Sequence, residues 1–243
     1  DFGICEGGDD PCILYGLCEP CTEGCDEEEP VEPDPCAKVS GQTNSEGYKG
    51  KITDLKTKTG LSHETGYEEK KAGNYNSLVN AGNDALVANP EDDTKGFIHT
   101  HIDDYTTTSD DGTETIHRPI KMFSPADVNV LMTLVDKNRN SGNFSDYYVS
   151  LITSSGHYML KFTGTVNDIS TGWDGAVWSE RYALFMQNYG NVEKGFLKFL
   201  KQEMGVNGIK LFQVRNNGTI RDLELSPSGN SVQKTDCFRG RNG

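Results

Sequence analysis

Six of the seven cysteines in this 243-residue chain fall within its first 36 residues, an asymmetry that splits the chain into two unlike parts. They are Cys5, Cys12, Cys18, Cys21, Cys25 and Cys36; the seventh, Cys237, stands near the other end. The same 36 residues carry twelve acidic side chains and no Lys or Arg, so most of the net charge of −14 belongs to them. The other 25 acids face 23 bases, a net of only −2. Cysteines this dense with almost no apolar periodicity predict a disulfide-pinned segment, residues 1–36, in an oxidising compartment: secreted, periplasmic or at a cell surface. Cys18-x-x-Cys21 with Cys25 is the metal-binding alternative, weakened by the lack of a second such pair. An odd total leaves one thiol free or paired with another chain. A bridge from Cys36 to Cys237 would close a loop around everything between them.

Glu27-Glu28-Glu29-Pro30-Val31-Glu32-Pro33-Asp34-Pro35 reads as a stiff charged linker, and a second part, residues 37–243, follows. Its 27 glycines, counted over the whole chain, and its many Asn, Asp, Ser and Thr suit a loop-rich α+β protein. No apolar run reaches the ~18–20 residues of a membrane span, and no basic surface suits nucleic acid. The chain opens on Asp1 rather than Met, which suggests that something upstream was removed or left out.

Periodicity predicts the elements of this second part. Residues 51–68 are mixed and polar, with room for a short helix and a strand. Gly96-Phe97-Ile98-His99-Thr100-His101 is a short apolar strand ending in ligand-type side chains. Residues 102–121 read as a polar surface loop. Ser124-Pro125-Ala126-Asp127 opens a helix, with Ser at the N-cap and Pro at the first helical position. Val130, Leu131, Leu134 and Val135 give that helix one apolar face. A hairpin over residues 147–163 follows, then two amphipathic helices marked by Trp178, Tyr182, Phe185, Met186 and Tyr189 and by Phe196, Leu197, Phe199 and Leu200. A last hairpin turns at Asn216-Asn217-Gly218. The aromatic stripe from Trp178 is expected to be core, with Trp173 alongside.

His99 and His101 are two apart on a strand, so both imidazoles leave the same face and can chelate one metal ion. Asp127, in the first turn of the next helix, is a candidate third ligand, leaving a fourth position for water. The alternatives, taken separately, are a chance surface His-x-His and an ordinary helix cap.

Gly-x-Ile-His-Thr-His followed by Phe-Ser-Pro-Ala-Asp resembles the signature of the JAMM metallopeptidases, the catalytic members of the JAB/MPN superfamily. The likeness covers roughly residues 50–165. It implies a JAB/MPN-like, cytidine-deaminase-like mixed sheet flanked by helices. It also implies Zn2+ on His99, His101 and Asp127, an oxyanion steadied by Ser124, and an upstream Glu acting on the zinc-bound water. Glu64 stands at a suitable distance for that Glu, with Glu68 and Glu69 as competitors. The implied activity is hydrolysis of a peptide or isopeptide bond in a protein or peptide substrate. Two features depart from the family: Ile102 stands where Pro is usual, and the 22 residues from Ile102 to Phe123 exceed the family's loop. A loop of that length costs little entropy, and it could gate the site, block it, or bring His117 or Asp103 to the metal.

Two other functions compete. His99-x-His101-x-Asp103 resembles the start of the metallo-β-lactamase signature, though Asp104 stands where that pattern has His. A non-catalytic surface or assembly module, attached through the acidic segment to a larger extracellular assembly, is the third reading. Asp103-Asp104 and Asp110-Asp111-Gly112 lack EF-hand spacing and read as solvated loop.

Overall fold

A computed structural model describes residues 34–82 and 85–238. The chain divides between Glu32 and Pro33, and the description concerns the second unit. Both readings of Cys5 to Cys25, disulfide or metal, lie outside the described residues.

The first helix, α1 (Pro35–Asn44), starts where Asp34 accepts a hydrogen bond from the Cys36 amide at 3.0 Å, with Pro35 in the first turn. After a cap by Ser45, α2 (Glu46–Lys56) buries Tyr48, Ile52 and Leu55, a three-and-four spacing that defines one helix face. Four short strands follow: β1 (Gly66–Lys70), β2 (Tyr75–Ser77), β3 (Val79–Gly82) and β4 (Ala85–Val87). The next strand, β5 (Thr94–Thr100), ends inside the His-Thr-His motif.

Residues predicted as open loop contain a hairpin, β6 (Tyr105–Thr108) and β7 (Glu114–His117). Alternating Thr, Ile and His on its arms suits strand pairing, and Gly112, at φ 84°, makes the turn. Helix α3 (Pro125–Lys137) then leads to β8 (Tyr148–Thr153) and β9 (Gly156–Phe162). Two more helices, α4 (Gly175–Met186) and α5 (Val192–Phe199), precede β10 (Ile209–Val214), β11 (Ile220–Leu225) and β12 (Val232–Asp236). The protein is therefore α+β with a mixed sheet.

Eight strands share the main sheet, in the order β12-β11-β10-β9-β8-β5-β1-β2. Only the central β5/β8 pair is parallel among those described, and α3 is the crossover between them. Strand alternation divides the core in two. Ile98, Tyr148, Ile152, Met159 and Phe212 meet the helices α1 and α2. Phe97, Val149, Leu151, Leu160 and Leu211 meet α3, α4 and α5. Each large apolar side chain buried here contributes about 1.5–3 kcal/mol. Gly96 lets β5 lie this close to β8: a Cβ there would sit 2.5 Å from the Tyr148 ring and 2.7 Å from its carbonyl oxygen.

Cys36, near the start of α1, is bonded to Cys237, just past β12, with a Cα–Cα distance of 5.5 Å. No helix among the described residues is long and apolar enough to cross a membrane.

Candidate metal centre

Phe97, His99 and His101 leave one face of the sheet, toward α3. Phe97 is core, and the two imidazoles continue its row where the strand ends. The His101 amide still donates to Ile152 at 3.0 Å, holding the motif to β8 one residue beyond β5. On the opposite face, Thr100 binds the preceding loop. Its amide donates to the Thr65 carbonyl at 2.8 Å, and its hydroxyl accepts from the Thr65 amide at 3.0 Å. This clasp sets Glu64 beside the strand end, with Oε1 3.6 Å from His101 Nε2.

The start of α3 supplies the third side chain. Ser124 is the N-cap, and it forms a reciprocal capping box with Asp127. The Ser124 amide and hydroxyl both donate to Asp127 Oδ2, at 2.7 and 2.8 Å, and the Asp127 amide returns a bond to Ser124 Oγ at 3.3 Å. The cap thus restrains the carboxylate and turns Oδ1 toward His99 Nε2, 3.1 Å away. The 3.8 Å separation of Asp127 Oδ2 from His101 Nε2 completes the cluster.

Three observations fit a metal ion. One ligand atom each from His99, His101 and Asp127 lies within 4.8 Å of the others. Tetrahedral zinc with bonds of about 2.0–2.2 Å needs ligand separations of roughly 3.3–3.5 Å; Asp127 brings Oδ1 to 3.1 Å from His99 Nε2 and its other oxygen, Oδ2, to 3.8 Å from His101 Nε2. Second, His99 Nε2 is buried with no hydrogen-bond partner among the described residues; its approach to Asp127 is close but poorly aligned. Buried polar atoms are rarely left so, because the desolvation is uncompensated. Third, His101 Nδ1 meets the Ile120 carbonyl at 2.9 Å. Donation there fixes the tautomer with the Nε2 lone pair facing Asp127, an arrangement usual for metal-ligating histidines.

The electrostatics agree. Burial favours protonated Asp127, yet His99 and His101 outweigh it and hold the carboxyl well below its ordinary range. Burial and the neighbouring His99 push the His101 pKa down, favouring the neutral ligand form. Burial also opposes charge on His99, but Asp127 prevails and raises it.

The cluster lies in a cleft of about 750 Å³, whose lining includes Glu64, His99, His101, Ser124 and Asp127. Glu68 and Glu69 are engaged elsewhere. Glu68 binds Lys70 and Thr94, while buried Glu69 binds Gln42, Tyr148 and Lys95. The long insertion contributes Ile102, Tyr105, Pro119 and Ile120 to the lining, leaving the cleft open. It does not bring His117 or Asp103 to the histidines. His117 stacks on Tyr105 with ring centroids 4.5 Å apart, and Asp103 lies 3.8 Å from Lys121. Asp104 also pairs with Lys121, at 2.9 Å, so the metallo-β-lactamase-like set is not assembled. Asp111 is occupied in its turn, accepting from Ser109 and Thr113.

The aromatic stripe packs on the core as expected, with Tyr182 and Met186 buried in it, but part of it also borders the cleft. Trp173 and Trp178 pack against the core but are only half-buried, and both line the cleft with Tyr182. Asn129, one turn into α3, lines it too and was not among the residues singled out. Helical spacing shows which face of α4 is apolar; it does not show that part of this face borders a cavity. No protein-family model, curated protein or solved structure matches the chain.

Proposed function

We propose that the protein is a zinc-dependent hydrolase of peptide or isopeptide bonds, secreted, periplasmic or displayed at a cell surface. The observation that carries this reading is the meeting of His99, His101 and Asp127, with Glu64 3.6 Å from His101 Nε2, in one open cleft. A parallel strand pair spanned by a helix whose first turn carries Ser-x-x-Asp supports a JAB/MPN-like fold. A disulfide suits an oxidising compartment.

Bound zinc supplies Lewis acidity and a water acidified toward pKa ~7. Glu64, 3.6 Å from His101 Nε2, would be the side chain that takes up a proton in the cleft and passes it to the leaving amine nitrogen. Ser124, whose hydroxyl is donated to Asp127, first serves to orient the carboxylate. It stabilises an oxyanion by turning that hydroxyl away, while its amide keeps hold of Oδ2. The competing non-catalytic module would keep the fold without turnover.

The test is elemental analysis of wild type, Glu64→Gln and Asp127→Ala, alongside cleavage of peptide and isopeptide libraries. We expect one zinc per chain in wild type and Glu64→Gln, little in Asp127→Ala, and cleavage by wild type alone. A zinc-loaded wild type that cleaves nothing would favour the assembly module. Undiminished zinc in Asp127→Ala would remove the JAMM-like assignment.

A further inference from the structure

Three of the buried polar atoms with no hydrogen-bond partner among the described residues belong to side chains that line one cleft: His99 Nε2, Asn129 Oδ1 and the Tyr182 hydroxyl. The first belongs to the metal centre. The other two have no part in it and no hydrogen-bond partner among the described residues. Tyr182 is only 3% exposed, so its unpaired hydroxyl is a substantial desolvation cost. Burial, reinforced by the charge of Asp127, raises its pKa well above the ordinary tyrosine value, so the hydroxyl remains a donor throughout the physiological range.

The two groups sit on adjoining helices, Asn129 on α3 and Tyr182 on α4, which pack together. One offers an acceptor and the other a donor. A peptide amide has the matching complement, an N–H and a C=O. Around them the lining is apolar and aromatic: Trp173 and Trp178 with Leu78, Leu86 and Val87. No Lys or Arg among the described residues lines the cleft, so away from the metal centre no cationic side chain is offered to a phosphate or a terminal carboxylate. The cleft's ~750 Å³ accommodates several residues of an extended chain.

We infer that this part of the cleft is a peptide-binding subsite. Asn129 Oδ1 accepts a backbone N–H, Tyr182 donates to a backbone carbonyl, and Trp173 and Trp178 hold a large apolar side chain of the same segment. The substrate class, on this inference, is an internal stretch of polypeptide bearing an aromatic or bulky aliphatic residue. The inference deepens the hydrolase proposal and rests on it for the cleft's purpose, but the binding is testable without catalysis.

The chain's two tryptophans, Trp173 and Trp178, both line the subsite, so tryptophan emission reports on it directly. The experiment titrates the end-blocked peptides Ac-Ala-Phe-Ala-NH2 and Ac-Ala-Gly-Ala-NH2 into metal-free full-length protein, where no cleavage occurs, with excitation selective for tryptophan. The Phe peptide should give a saturable emission change, with the Gly peptide about tenfold or more weaker. Tyr182→Phe and Asn129→Ala should each weaken the Phe peptide by about three- to tenfold, the loss of one hydrogen bond. Circular dichroism confirms that each variant is folded, and the exposed-face Leu184→Gln serves as a control of unchanged affinity.

No saturable response to either peptide overturns the inference, as does unchanged affinity in both Tyr182→Phe and Asn129→Ala. Peptide binding by a protein that holds no zinc and cleaves nothing would sink the hydrolase reading and leave the subsite standing. Cleavage with unaltered affinity in both variants would do the reverse.

Discussion

Ser124 donates twice to a single oxygen of Asp127, through its amide and its hydroxyl, and accepts the Asp127 amide in return. One pair of residues thus closes a helix end and aims a carboxylate. Removing the hydroxyl in Ser124→Ala should act on both. Loss of the cap should cost about 1 kcal/mol in chemical denaturation. Zinc affinity, measured by competition with a chromogenic chelator, should fall about 10–100-fold, as for other partners that orient a ligand. Ser124→Thr should restore most of each. A stability loss without any change in affinity would mean the serine is a cap and nothing more.

His157 lies on the other side of the sheet from the metal centre, where its Nε2 meets the Tyr48 hydroxyl at 2.9 Å. Burial holds its pKa down to about 3, against 6.5 for the free side chain. The unfolded chain therefore binds a proton that the folded chain refuses. The stability that neutral His157 permits is fully present above pH 6.5 and is lost as pH falls from there toward 3. The slope from this residue is at most about 1.4 kcal/mol per pH unit. Urea unfolding at pH 7.5, 6 and 5 should show the decline, and His157→Gln should flatten it. An equally steep decline in the variant would place the acid sensitivity elsewhere.

The Cys36–Cys237 bond joins residues 201 positions apart. In the chain-entropy picture a loop this long gains most from closure, about 5 kcal/mol. Reduction, or the double replacement Cys36→Ser with Cys237→Ser, should lower the urea midpoint accordingly while leaving the far-UV spectrum of the native protein unchanged. A midpoint insensitive to reductant in the wild type would show the bond absent in solution.

Strongly patterned elements were legible in the sequence. The strand carrying His99, the start of the helix opened by Ser124-Pro125, the hairpin after it and the last hairpin all occur within a residue or two of expectation, while that helix stops at Lys137, short of the expected Gly142. Each has local chemistry behind it: alternation, a capping sequence, a glycine turn. The α1–α2 pair was poorly legible because Gly41, Gly47 and Gly50 dilute the helical signal; its place is decided by Val39, Tyr48, Ile52 and Leu55 meeting the sheet. Strand β12 is a polar edge strand, and only its pairing with β11 reveals it. Among the candidate site residues, His99, His101 and Asp127 were readable because period and capping aim them at one point. That Glu64, rather than Glu68 or Glu69, lies beside the histidines depends on the Thr65–Thr100 clasp, a contact across 35 positions. Asn129 and Tyr182 were illegible as a site, since their unpaired state exists only once the helices are packed.

The disulfide has a mechanical consequence as well. Tension applied between a point upstream of Cys36 and a point downstream of Cys237 runs through one S–S bond and bypasses the 201-position stretch that carries the sheet, the cleft and the metal ligands. If the acidic segment serves as a tether, the domain at its end would keep its shape under load, and only reduction would expose it to the pull.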